Sequence, residues 1–176
     1  AVTSDFKKPG DRLYIIGNTA RELAGSEIAD QLGIACNTVP RVDAKSALAS
    51  YRKLHQAINS RLISACHDLS DGGLAVSLAE MCIGGRLGAG GDLDAVPALE
   101  EMSRTELLYS ESASRLLVSV KPDLAMLLDA LGLWQICRRI GTVTGDGNLT
   151  LKSGDSTVLR ENVEDLARAF KRTLDW

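Results

Sequence analysis

The chain has 176 residues, 45% hydrophobic, 24% charged and 4% aromatic, with 20 basic against 23 acidic side chains and a formal charge of −3. That length fits one ordinary domain, and so few aromatics leave the core to Leu, Ile, Val and Ala. No block of like charge offers a footprint for nucleic acid or an anionic membrane, and no apolar run nears the ~20 residues of a membrane span, so the chain reads as cytoplasmic.

In chain order, Gly10 to Gly17 is an apolar run bounded by glycines and predicts a buried strand. A loop follows, then a short helix with Ser26 as its cap and Gly33 as its stop. Behind Asp43, the positions Ala44, Ala47, Leu48, Tyr51, Leu54 and Ile58 recur at helical spacing and predict a helix buried on that face. Arg61 to Cys66 is a second strand, and after Gly73 a helix carries Leu74, Leu78, Met81 and Cys82 on one side until Gly84 and Gly85. Residues Gly85 to Tyr109 read as loop, with a short helix around Leu99 to Arg104. Ser114 to Val120 is a strand. Pro122 opens a helix with Leu124, Leu127, Leu128 and Leu131 on one side and Gly132 behind it. Two strands from Trp134 to Ser153 are expected to pair as a hairpin through Gly145, Asp146 and Gly147. The last helix starts at Asn162, with Val163, Leu166, Ala167, Phe170 and Leu174 inward, acids early and bases late. Strands interleaved with helices plus a late hairpin predict an α/β (α+β) domain: three layers, α/β/α, around a mixed sheet whose parallel pairs carry the helices. Cys36, Cys66, Cys82 and Cys137 form no CxxC pair and read as reduced small hydrophobes.

One stretch concentrates polar chemistry: "HDLSDGG", His67 to Gly73, lies where a strand gives way to a helix. A glycine turn opening a helix exposes backbone N–H groups at the positive end of the helix dipole, which suits an anion. Gly72 and Gly73 would let that anion approach the backbone. Asp68 and Asp71 would repel a bare phosphate, so they either hold Mg²⁺ or accept hydrogen bonds from hydroxyl or amino groups, with His67 as proton carrier. Equally, Ser70 or Asp71 could simply cap the helix. A second polar group, Glu111 and Arg115 with the serines between them, is either one wall of a cleft or a salt-bridged loop. His55 reads as structural.

The stretch "HDLSDGGLAVSLAEM" resembles the signature of the C-terminal domain of the aminoimidazole ribonucleotide synthetase superfamily, in the form found in phosphoribosylformylglycinamidine synthases. "FKKPGDRLYIIGNTARELAGSE", "VPRVD" and "ESASRLLVSV" are similar to further family segments in the same order, except that Ala24 stands where the family has glycine. The resemblance implies that residues 1–176 are one C-terminal domain of a larger synthase of the small form, the ATP-binding N-terminal domain being absent and the fragment inactive by itself. It further implies a C–N ligase of purine biosynthesis that converts formylglycinamide ribonucleotide to the amidine with ATP, Mg²⁺ and glutamine-derived ammonia. The implied partners are the rest of the synthase chain, a glutaminase and small accessory subunits. The implied substrate- or nucleotide-binding residues are His67, Asp68, Ser70, Asp71, Gly72, Gly73, Ser26, Glu27, Glu111 and Arg115, with Asp68 and Asp71 at the metal. The alternatives are a non-catalytic supporting or dimerisation domain of that synthase, or a domain of an aminoimidazole ribonucleotide synthetase, a hydrogenase-maturation protein or a selenophosphate synthetase.

Overall fold

The computed structural model describes residues 1–35, 37–130, 132 and 136–172. Its elements are β1 (Arg12–Ile16), α1 (Glu27–Leu32), α2 (Ala44–Asn59), β2 (Ile63–Asp68), α3 (Gly73–Gly85), β3 (Gly88–Asp92) with a 3-10 turn (Leu93–Ala95), α4 (Arg104–Tyr109), β4 (Leu116–Val120), α5 (Ala125–Ala130), β5 (Cys137–Thr144), β6 (Asn148–Ser153), β7 (Ser156–Asn162) and α6 (Val163–Arg172). The strands form one sheet in the order β2-β4-β1-β5-β3-β6-β7.

Alternation along the strands builds two cores, because successive side chains point to opposite faces. Leu13 and Ile15 of β1 join Leu117 of β4 and Leu149 and Leu151 of β6 under Leu74, Leu78 and Met81 of α3, Leu108 of α4 and Val163 of α6. Ile16, Val118 and Val120 face the other way, against Leu54 and Ala57 of α2 and Leu128 of α5. The expected three layers and mixed sheet are therefore present. This second core draws no residue from β3, β6 or β7 among those described, so that helix layer covers half of the sheet.

Several expectations change. The expected hairpin across Gly145–Gly147 does not pair: β5 and β6 both pair with β3, which lies between them. The true hairpin is β6–β7, closed by Gly154 and Asp155 with Ser153 opposite Ser156. The pairing β3–β6 is parallel and the other strand pairs are antiparallel, so parallel crossovers do not carry the helices. β3, read as loop, is "GAGGD": glycine favours no strand, but a Cβ on Gly141 of β5 would sit 2.2 Å from Gly90 O, so glycines let the two backbones approach.

The helix expected near Leu99 to Arg104 begins at Arg104, behind a capping box of Ser103 and Glu106. α5 begins at Ala125, three residues beyond Pro122. α6 begins one residue after Asn162, whose Oδ1 accepts from Glu164 N at 2.9 Å. Along α2, Ala47, Leu54 and Ala57 are buried, but Leu48 and Tyr51 are exposed, as are Leu127 and Phe170 on α5 and α6. Leu131, Trp134 and Leu174 lie outside the described residues, as does Cys36. Cys66 and Cys82 are free thiols.

Candidate functional site

β2 runs two residues past Cys66, so His67 and Asp68 are strand residues opposite Leu117 and Leu116 of β4. The His67 ring is held from both sides. Its Nε2 lies 2.9 Å from Glu80 Oε2 on α3 and its Nδ1 3.2 Å from Asp68 Oδ1. Ser70 donates its hydroxyl to the other Asp68 oxygen, and that bond is the first cause holding the Asp68 carboxyl below the usual carboxylate range.

The turn itself is capped by neither of the expected residues. Gly72, at φ +75°, is the N-cap of α3 and no side chain caps the helix locally. Instead Glu111, 39 residues on, accepts from Gly72 N at 2.8 Å, and the same Oε1 accepts from Glu27 N at 3.1 Å. A carboxylate favours such a place, where orphan N–H groups and the dipole attract negative charge. The position expected for a ligand anion is therefore taken by the chain's own Glu111. Gly73 has a packing reason: at φ +61°, its Cβ would stand 2.6 Å from Ser110 O behind the end of α4.

The remaining residues sort by exposure. Ser26 is buried and caps α1 as expected, accepting from Ala29 N at 3.3 Å and donating to Leu23 O at 2.7 Å. Arg115 is 1% exposed and donates to Ser112 O and Thr19 Oγ1, each at 3.0 Å, and to Ser110 O. Burial brings its guanidinium down to about 10, against the opposing pull of Glu22 and Glu111, so it stays charged at neutral pH. Its donors organise the 110–115 loop from inside. Asp71 is exposed at the tip of the turn.

A cleft of about 540 Å³ lies beside the strand end, lined on one side by Tyr51, Leu54, His55 and Ile58 of α2 and on the other by Asp68, Ser70, Glu111 and Ser114. The two polar stretches read from the sequence thus meet on one wall. The apolar wall was not foreseen: helical spacing marks Tyr51 as core, and the reason it faces out is the position of α2 on the sheet. Nor was Glu80, since nothing local links it to a histidine 13 residues before it. Ser114 adopts φ +64°, a backbone conformation uncommon for a side chain with Cβ. Among the described residues no three His, Cys, Asp or Glu side chains are grouped to hold a metal. Asp68 and Asp71 offer at most two carboxylates to a cation that wants six oxygens. No helix among the described residues is long and apolar enough to cross a membrane.

Comparison with known proteins gives this geometry a context. The family described as "AIR synthase related protein, C-terminal domain" matches residues 8–154. Phosphoribosylformylglycinamidine synthase subunit PurL of Thermococcus sibiricus is 42% identical over 117 residues, 66% of this chain and 16% of the relative. The corresponding subunit of Thermococcus kodakarensis is 38% identical over 152 residues, 86% and 21% respectively. Among solved structures, Thermotoga maritima PurL complexed with FGAR matches with a TM-score of 0.81 at 23% identity, over 94% of this chain and 29% of that one. E. coli HypE, a hydrogenase maturation protein, matches with a TM-score of 0.65 at 14% identity, over 92% and 51%. The chain spans about a fifth of the length of the curated relatives it matches.

Proposed function

This chain belongs to the AIR synthase related protein family, as its C-terminal domain, and from that membership we propose that it is one domain of an ATP-dependent phosphoribosylformylglycinamidine synthase. The reaction is conversion of formylglycinamide ribonucleotide, ATP and ammonia to the amidine, ADP and phosphate, a C–N ligation of purine biosynthesis, the ammonia being released from glutamine, with glutamate, by the glutaminase. ATP supplies phosphoryl activation of the amide oxygen, which ammonia then displaces. The rest of the synthase chain, a glutaminase and small accessory subunits complete the enzyme, and the fragment alone is inactive. T. maritima PurL has been solved with ATP, with FGAR and within PurLQS, which supports this set of ligands and partners.

The observation that carries the reading to particular residues is the single oxygen of Glu111 that joins the turn at Glu27 to the turn at Gly72. Two segments that the family resemblance marks for a ligand are thereby tied to Glu111, which lines one wall of the cleft with Asp68 and Ser70. On that wall Asp68 and Ser70 receive hydroxyl or N–H donors of the substrate, because their acidic setting disfavours bare phosphate. Tyr51, Leu54 and Ile58 exclude water from the opposite side. Magnesium bound to ATP would take at most Asp68 and Asp71 from this domain, its other ligands being phosphate oxygens and water.

Ammonia-dependent turnover of formylglycinamide ribonucleotide by the complete enzyme tests this, with the Asp71→Asn variant and both melting temperatures. Asp71 caps no helix, so Tm should not move while activity falls at least tenfold. Unchanged activity would favour the second reading, a supporting domain. That reading draws its own support from Glu111 occupying the anion position of α3.

A further inference from the structure

Four residues from three segments form an unbroken series beside the cleft. Glu80 of α3 meets His67 Nε2 at 2.9 Å, His67 Nδ1 meets Asp68 Oδ1 at 3.2 Å, and Ser70 closes the series on Asp68 Oδ2. Asp68 and Ser70 line the cleft, whereas neither His67 nor Glu80 is among its lining residues. His67 has both ring nitrogens turned to carboxylates, so it is badly placed to hand a proton to a ligand.

We propose that Glu80 is a positioning residue which, through the rigid imidazole of His67, fixes the carboxylate of Asp68 as a preset acceptor for a donor-bearing part of the substrate, a ribose hydroxyl or an amide N–H. The proposal rests on the function argued above and names the contact pair within it. Its physical reason is preorganisation. The Asp68 side chain is 64% exposed at a strand end, where rotamer freedom would otherwise be lost on binding. An ionised carboxylate has about four lone-pair sites; His67 and Ser70 engage one on each oxygen and leave the others for a ligand. Glu80 is itself 38% exposed, so its contact with His67 is not a by-product of burial.

The test compares Glu80→Leu, Glu80→Gln, His67→Asn and the double variant Glu80→Leu/His67→Asn in the complete enzyme. Ammonia-dependent kcat and KM, Tm, and the ring-nitrogen resonances of ¹⁵N-labelled His67 are measured. Glu80→Leu is expected to lower kcat/KM about tenfold, chiefly through KM, with Tm within about 2 °C of wild type. Glu80→Gln, which keeps a polar partner for Nε2, should stay within about threefold. In the His67→Asn background Glu80→Leu should cost nothing further, because its effect passes through the ring. With His67 present, Glu80→Leu should also move the Nδ1 resonance, on the Asp68 side of the ring, as well as Nε2. An unchanged kcat/KM, an equal loss with and without His67, or a loss matched by a fall in Tm that Gln does not restore would overturn the proposal. Should the wild-type enzyme not turn over formylglycinamide ribonucleotide, the assigned function fails instead. The clamp is then judged on resonances alone: it stands if Glu80→Leu moves Nδ1 and falls if Nδ1 stays put.

Discussion

At the scale of single residues, Glu111 shows how much a carboxylate can hold when two helix starts converge on it. Its Oε1 accepts from Gly72 N, which is part-buried, and from Glu27 N, which is exposed, and an unmatched N–H costs about 1–3 kcal/mol where water does not reach it. Glu111→Ala should therefore destabilise the fold by about 2 kcal/mol in urea denaturation, while Glu111→Gln, which keeps a carbonyl oxygen in place, should cost well under ~1 kcal/mol. Equal losses in the two variants would mean that charge, not the acceptor, does the holding. The sequence marks Glu111 as a polar residue near a strand and cannot say that its target lies 39 residues upstream. Arg115 is the converse case. Its sequence surroundings, serines and an acid, suggest a solvated site, and burial of the guanidinium follows from three acceptors that the fold brings to it.

At the scale of elements, local chemistry decides the ends of α1 and the start of α2 well and strand partners badly. Ser26 and Gly33 bound α1, and Asp43 caps α2 through Lys45 N and Ser46 N, because caps act over three or four residues that sequence places side by side. β3 has no such signature. Its glycines are explained by β5: Gly141 faces Gly91 in register and its missing Cβ leaves room for Gly90 O. Gly141→Ala should therefore force β3 and β5 apart and cost about 3 kcal/mol in urea denaturation, a large value for one methyl group. A loss below ~1 kcal/mol would show that the sheet yields there without strain. The failed hairpin has the same origin. A glycine turn reports that the chain reverses; it does not report that a third strand is inserted between the two arms.

At the scale of the whole molecule, two cores of different extent make the interior dry enough to perturb its thiols. Burial pushes Cys66 up to about 11 and Cys82 up to about 12, with lesser contributions from Asp68 and Asp146. Both should therefore resist alkylation at pH 8 in the folded protein and react once it is unfolded, which mass spectrometry after iodoacetamide would show. The pH dependence has a definite sign. The folded state keeps these thiol protons while an unfolded cysteine loses its own near ~8.5. Their contribution to stability is full below that pH and is lost as pH rises through about 11 to 12. Denaturation midpoints that stay level from pH 8 to 11 would contradict it.

What the sequence by itself determined is whatever depends on near neighbours: the caps of α1 and α2, apolar periodicity, the strand-to-helix turn at His67–Gly73, and the family signature written across it. These interactions span a few residues, and composition records them directly. Tertiary structure alone decided which far-apart groups share an atom: Glu111 with two backbone turns, Glu80 with His67, Gly141 with Gly90, and Tyr51 with an open cleft instead of a core. Such meetings depend on sheet order and on the height at which each helix lies on the sheet. Side-chain identity within a stretch does not encode those quantities; they emerge when all the elements are packed together.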